Sequence, residues 1–195
     1  MKNSTINLHD LVILIADPNS YERRITQGML RGFGANKVMD VEKSSGVLQA
    51  LTGQKIDLLL CDARLPTHGA LKLTRAIRRK GDNPNRTVPI LVMTRDARES
   101  TIKLVRDAGA NMVIAKPMSP KSLYERLAWI AFNARQFVDT ATYFGPDRRF
   151  KIEGYPNGVG RRKGDKIVEV DAEVGPTLAQ DDIDSLFGSA RTGRT

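Results

Sequence analysis

Four residues of this chain have the types and places that phosphate chemistry needs: Asp17, Asp62, Thr94 and Lys116. Each ends a short apolar run. Leu11–Ala16 leads into Asp17, Ile56–Cys61 into Asp62, Val88–Met93 into Thr94 and Met112–Ala115 into Lys116. Such runs read as buried parallel strands. In open α/β sheets, ligands gather outside the carboxyl ends of the strands. A parallel sheet therefore brings all four residues to one edge. Two carboxylates side by side repel, and a cation compensates them. Oxygen ligands of this kind suit Mg2+, which keeps several waters and takes substrate phosphate into its shell. A hydroxyl and an ammonium nearby would hold the oxygens of a phosphoryl group on Asp62. Taken singly, each is an ordinary strand-end polar residue. The set of four carries the reading.

The elements that must position them follow in chain order. After the first strand, Asn19 or Ser20 caps a helix running to about Arg31, with Tyr21, Ile25 and Met29 at four-residue spacing on one face. Gly32 and Gly34 end it. Lys37–Val41 is a second strand, and Val47, Leu48 and Leu51 mark a short helix closed by Gly53. The central strand then ends at Asp62. Gly69–Lys80 is a third helix, with Leu71, Thr74 and Ile77 facing inward and Arg75, Arg78, Arg79 and Lys80 mostly outward. Asp96 and Glu99 have the spacing of a capping box and open a fourth helix through Ala108. Ser119-Pro120 opens a fifth, which carries Leu123, Leu127, Ile130 and Ala131 inward and extends to about Phe137. Strand and helix alternate five times, the pattern of a doubly wound α/β domain with a five-stranded parallel sheet.

Composition excludes several classes. No apolar run is long enough for a transmembrane helix, and the N-terminus lacks the apolar core of a signal peptide. The single cysteine, Cys61, lies in the central strand and reads as a buried thiol in a cytoplasmic protein. No Gly-rich loop or His cluster accompanies Asp62, and His9 and His68 stand far apart, so a free-standing enzyme is disfavoured. The net charge of +9 is unevenly spread. A basic block, Tyr143–Lys166, precedes an acidic one, Glu169–Asp184. Blocks of opposite sign mark solvated, interacting segments.

The four residues, with Pro66 after Asp62 and Pro117 after Lys116, resemble the receiver domain of two-component response regulators and of the chemotaxis protein CheY. The resemblance covers about Leu11 to Asn133. It implies a flavodoxin-like fold for residues 1–137. It implies that Asp62 accepts a phosphoryl group from a histidine kinase or phosphotransfer protein. It implies that Asp17, Asp62 and the backbone carbonyl of Arg64 bind Mg2+, and that Thr94 and Lys116 contact the phosphoryl oxygens. The Lys116-Pro117 bond would be cis. Three positions depart from the family. Ala16 stands where the first of an acidic pair is usual, which weakens the Mg2+ site. Arg95 follows the strand-four hydroxyl where a small residue is usual, and its side chain would cover the pocket or pair with Asp62. Val113 replaces an aromatic switch residue.

Residues 138–177 form a Gly/Pro/Arg-rich extension, read as largely unstructured, and residues 178–195 an acidic amphipathic segment. The extension holds a loose repeat of a Tyr, a Gly and an Arg pair: Tyr143 and Asp147 with Arg148 and Arg149, then Tyr155 with Arg161 and Arg162. Arginine forks pair with phosphate or with the guanine edge, and tyrosine offers a stacking face. A guanine nucleotide, RNA or an anionic lipid surface would suit them; a solvated basic linker is the plainer reading. The layout resembles CheY-like effectors that bind cyclic di-GMP and act at the flagellar motor. It contains no second ordered domain of the PilZ type and no DNA-binding domain. Leu178–Phe187 resembles the peptide of the flagellar switch protein that chemotaxis receivers bind, and equally suits packing on the chain's own basic surface around Lys103 and Arg106.

Overall fold

The computed structural model describes residues 6–79, 81 and 83–148, together with the backbone of 166–168. Five parallel strands form the main sheet: β1 Val12–Ala16, β2 Lys37–Val41, β3 Leu58–Asp62, β4 Ile90–Thr94 and β5 Met112–Ala115. Their order is β2-β1-β3-β4-β5, so the chain reverses direction across the sheet after β2. Five helices connect and cover them: α1 Ser20–Gly32, α2 Ser44–Gly53, α3 Gly69–Arg79, α4 Glu99–Asp107 and α5 Pro120–Phe132. This is the doubly wound flavodoxin-like architecture that the alternation of apolar runs implies.

Strand pleat divides the core in two. Leu58 and Leu60 of β3 face α1 and α5, where Leu30, Leu123 and Leu127 meet them. Leu59 and Cys61 face the other side, packed with Val47, Leu51, Leu73, Ile77 and Val105. All five residues of β3 and of β4 are buried. Asp57, an acid beside this apolar run, lies just before β3 and accepts the Val12 N–H at 2.9 Å.

The structure corrects four expectations about the helices. On α1, Tyr21 is 64% and Ile25 40% exposed, while Thr26 and Leu30 are buried. The buried stripe is therefore Thr26–Leu30, with the half-buried Glu22 one turn before it, beside the most apolar stripe. On α3, Arg78 is 1% exposed rather than outward. Its guanidinium donates to Gly109 O, Arg86 O, Val88 O and Asn111 Oδ1 at 2.5–3.1 Å. Four oxygen acceptors satisfy a buried charge that no carboxylate among the described residues pairs. Burial pushes its pKa down to about 9, which leaves it charged at neutral pH. No capping box forms at α4: the helix starts at Glu99, and Asp96 instead accepts from Arg98 N and Thr101 Oγ1.

The fourth correction concerns the end of α5, which stops at Phe132 rather than near Phe137. The chain turns at Asn133 and forms a hairpin of β6 Phe137–Asp139 and β7 Phe144–Pro146, and β8 Lys166–Val168 pairs with the other edge of β6. Phe137 and Phe144 are buried, with ring centres 5.4 Å apart. Gly145 presses on Gly109, and a Cβ there would come within 2.9 Å of the Gly109 Cα. Only glycine permits that approach.

Candidate functional site

Main-chain turns aim the strand-end residues at one point. Asp17 follows β1, and its Oδ1 accepts the Asn19 N–H at 2.8 Å. Asn19 in turn caps α1 by accepting from Tyr21 N and Glu22 N. Asp62 ends β3, with its Oδ1 taking the Arg64 N–H at 2.7 Å. Lys116 follows β5, its N–H donates to Thr94 O at 2.7 Å, and its bond to Pro117 is cis, as the resemblance implies.

The Lys116 ammonium sits at the centre of three carboxylates. It donates to Asp62 Oδ2 at 2.5 Å, to Glu22 Oε2 at 2.7 Å and to Asp17 Oδ2. Asp17 and Asp62 are 1% and 3% exposed, and the Lys116 side chain 5%. Burial by itself would lower the lysine pKa, but the three carboxylate bonds outweigh it and raise it. The same contact, chiefly the hydrogen bond from Lys116, holds Glu22 below the usual carboxylate range.

Of the expected site residues, the structure therefore brings Asp17, Asp62 and Lys116 into direct contact. Thr94 ends the adjacent strand, but its hydroxyl is engaged by the next loop, donating to Asp96 O at 3.2 Å and accepting from Asp96 N at 3.0 Å. Arg64 contributes its N–H to Asp62. Arg95 pairs with Glu22 and not with Asp62, because the Glu22 carboxylate reaches the open side of the cluster. Glu22 is the member that sequence reading missed. It lies in the first turn of α1, three residues after the cap. Its signal was available: the helix starting after β1 begins at the same sheet edge as Asp17.

One carboxylate oxygen from each of Asp17, Glu22 and Asp62 lies within 4.8 Å of the others. That donor set is all hard oxygen and fits Mg2+.

The first residues of the extension, up to Arg148, are packed against the domain. The Tyr143 hydroxyl donates to Pro146 O at 2.7 Å, and Arg148 stacks on the Tyr143 ring at 4.1 Å while pairing with Asp107 at 3.0 Å. Asp147 N–H donates to Gln136 O at 2.8 Å. These residues clasp the hairpin to the domain. Arg149, Tyr155, Arg161, Arg162 and the segment 178–195 lie outside the described residues. Nearby, Arg75, Arg79 and Arg86 line a cleft of about 530 Å³ shared with Tyr143 and Phe144.

A flavodoxin-like sheet with acids and a lysine gathered at its carboxyl edge defines the class. Residues 13–128 match the response regulator receiver domain, and the chain belongs to that family. It is 33% identical over 123 residues to the CAI-1 autoinducer sensor kinase/phosphatase CqsS of Vibrio cholerae, covering 63% of this chain and 18% of that protein. It is 28% identical over 130 residues to the sensory/regulatory protein RpfC of Xanthomonas campestris, covering 67% and 18%. The chain thus matches less than a fifth of the length of these sensor proteins. Among solved structures, it is similar to the receiver domain of the sensor histidine kinase PA1611 of Pseudomonas aeruginosa, which has a magnesium ion coordinated in its active-site cleft. That match has 30% identity, a TM-score of 0.54 and covers 60% of this chain and 93% of the other. The chemotaxis response regulator CheY4 of Vibrio cholerae, at 20% identity and TM-score 0.56 over 60% and 95% of the two chains, shares the fold. Among the described residues, no helix is long and apolar enough to cross a membrane.

Proposed function

We propose that this chain is a phosphoryl-accepting receiver in two-component signalling, with Asp62 as the acceptor. The observation that carries this reading is Asp62 itself, buried at the end of β3 with one oxygen on the Arg64 N–H and the other on Lys116. An Asp62 oxygen attacks the phosphorus of a phosphohistidine on a kinase or phosphotransfer protein. The P–N bond breaks, its electron pair returns to the imidazole, and an acyl phosphate forms on Asp62. Lys116 is already bonded to Asp62 and neutralises the added negative charge. Thr94 reaches a phosphoryl oxygen once its hydroxyl leaves the Asp96 backbone. Asp17, Asp62 and Glu22, with the Arg64 carbonyl, would hold Mg2+, which when bound offsets the charge of the incoming phosphoryl oxygens.

The test is acetyl phosphate with Mg2+, followed by intact-mass measurement. One added phosphoryl group is expected, and none on Asp62→Asn. An unmodified wild-type chain under conditions that label a control receiver removes the reading.

A second input is supported by the arginine cleft at the root of the extension. In this reading, cyclic di-GMP binds the arginine-rich extension, and the output is a protein partner such as the flagellar switch protein. Tyr143 and Arg148 already hold each other, so recognition falls mainly on Arg149, Arg161, Arg162 and Tyr155. Calorimetry with cyclic di-GMP on the full chain, and on a variant with Arg149, Arg161 and Arg162 all changed to Ala, decides it. Binding at micromolar concentration that the triple variant loses supports the second input. Equal binding by both moves the site to the arginine cleft lined by Arg75, Arg79 and Arg86, and no binding by the full chain leaves phosphorylation as the sole input.

A further inference from the structure

We infer that Glu22 supplies the third carboxylate of the cation site, in place of the acid missing at Ala16, and that Arg95 is the latch that holds it. The inference rests on the receiver reading of Asp62 and concerns residues particular to this chain.

Ala16 is the last residue of β1, fully buried, and offers no side-chain oxygen. The lost carboxylate returns from another element. Glu22 sits one helical turn before Thr26, whose hydroxyl donates to the Glu22 carbonyl at 2.9 Å. The buried Thr26–Leu30 stripe sets the rotation of α1 and so turns Glu22 toward Lys116. Its two oxygens then divide between two cations: Oε2 accepts from Lys116 at 2.7 Å and Oε1 pairs with Arg95.

The two contacts differ in strength. The Lys116 side chain is 5% exposed, whereas that of Arg95 is 54% exposed. Water screens the second pair far more than the first. Arg95 is thus the easier cation to displace. It follows β4, so its pair with α1 bridges the sheet edge beside the acid cluster and forms part of the wall of a cavity of about 150 Å³ with Ile25, Met29 and Met118. Three carboxylates face two side-chain cations here. A divalent ion drawn to the cluster competes with Arg95 for Glu22, and its arrival opens the latch.

Mg2+ titration of the full chain by calorimetry, without any phosphodonor, tests this. Glu22→Gln keeps the side-chain length and removes the charge, and should weaken Mg2+ by about tenfold or more, since affinity follows the number of charged ligands. Ala16→Asp placed in the Glu22→Gln chain should restore most of the loss. Arg95→Ala should tighten Mg2+ several-fold by removing a competing cation. Thermal melts in EDTA confirm that each variant folds. Equal Mg2+ affinity in wild type and Glu22→Gln overturns the role of Glu22, as does a wild-type chain that binds no Mg2+. Unchanged or weaker affinity in Arg95→Ala overturns the latch. If Asp62 takes no phosphoryl group in any variant, the receiver reading fails while the titration still decides the role of Glu22.

Discussion

The guanidinium carbon of Arg78 lies 5.0 Å from the centre of the Phe137 ring. This contact joins the buried end of α3 to the first strand of the C-terminal hairpin. It stands on the same side chain that ties together Gly109, Arg86, Val88 and Asn111. Arg78→Met keeps an apolar stem of similar length and removes every donor. Several buried oxygens are then left unsatisfied, at a cost of about 3 kcal/mol or more. Chemical denaturation should show a lower midpoint, with Arg78→Lys intermediate. A midpoint within error of wild type would show that water replaces the guanidinium without loss.

The hairpin should stabilise the receiver rather than trail from it. Phe137, Val138 and Phe144 are all buried. Covering two Phe and a Val contributes several kcal/mol by area. A chain ending at residue 148 should melt well above one ending at residue 136. Equal melting temperatures would mean that the hairpin contributes nothing.

Gly145→Ala isolates one contact of that hairpin. The added methyl would lie 2.6 Å from the Tyr143 hydroxyl oxygen and 2.9 Å from the Gly109 Cα. Neither distance is tolerable: Tyr143 is held by its bond to Pro146 O, and Gly109 by donating to Arg106 O and accepting from Arg78. A loss of about 1–3 kcal/mol is expected from such overpacking. Gly53→Ala, where nothing lies within 4 Å, is the control and should leave the denaturation midpoint near wild type.

Cys61 should report global unfolding. It is 1% exposed, and burial first, then the charges of Asp62 and Asp17, push its thiol pKa far up. A raised thiol pKa keeps the group protonated and unreactive across the neutral and mildly alkaline range. Iodoacetamide labelling at pH 8 should be slow in buffer and become fast only across the denaturant transition. Rapid labelling of the folded chain would show that β3 opens locally.

The strands and the acid pair were legible because each rests on short-range pattern. Apolar runs ending on Asp17, Asp62, Thr94 and Lys116 need only parallel order to converge. The face of α1 was misread because Tyr21, Ile25 and Met29 are more apolar than Glu22, Thr26 and Leu30. The sheet edge nevertheless selects the second stripe, and with it Glu22. Arg78 gave no sign, since its acceptors are main-chain oxygens and an amide brought near only by the fold. Likewise, Tyr143, Gly145 and Arg148 read as ligand-binding types in one dimension. In three dimensions they meet Pro146, Gly109 and Asp107.

Lys116 and a divalent cation should compete for the same carboxylates. The ammonium bonds one oxygen of each of Asp17, Glu22 and Asp62, so a metal drawn to those three oxygens has to share them with Lys116. Lys116→Met removes the buried cation and leaves three acids facing one another. Loss of one partner from a buried ion pair costs about 3–5 kcal/mol, so the variant should melt far below wild type in EDTA. Mg2+ binds the folded state and not the unfolded one, so it should raise that melting temperature in proportion to the logarithm of its concentration. The rise should exceed that of wild type, because no ammonium has to be displaced. Phosphorylation of Asp62 should fall in the same variant, since the charge that Lys116 brings to the phosphoryl oxygens is gone. Stabilisation by Mg2+ no greater than in wild type would mean that Lys116 and the metal do not share ligands. The ion would then reach these acids through the oxygens that Lys116 does not hold, or bind elsewhere.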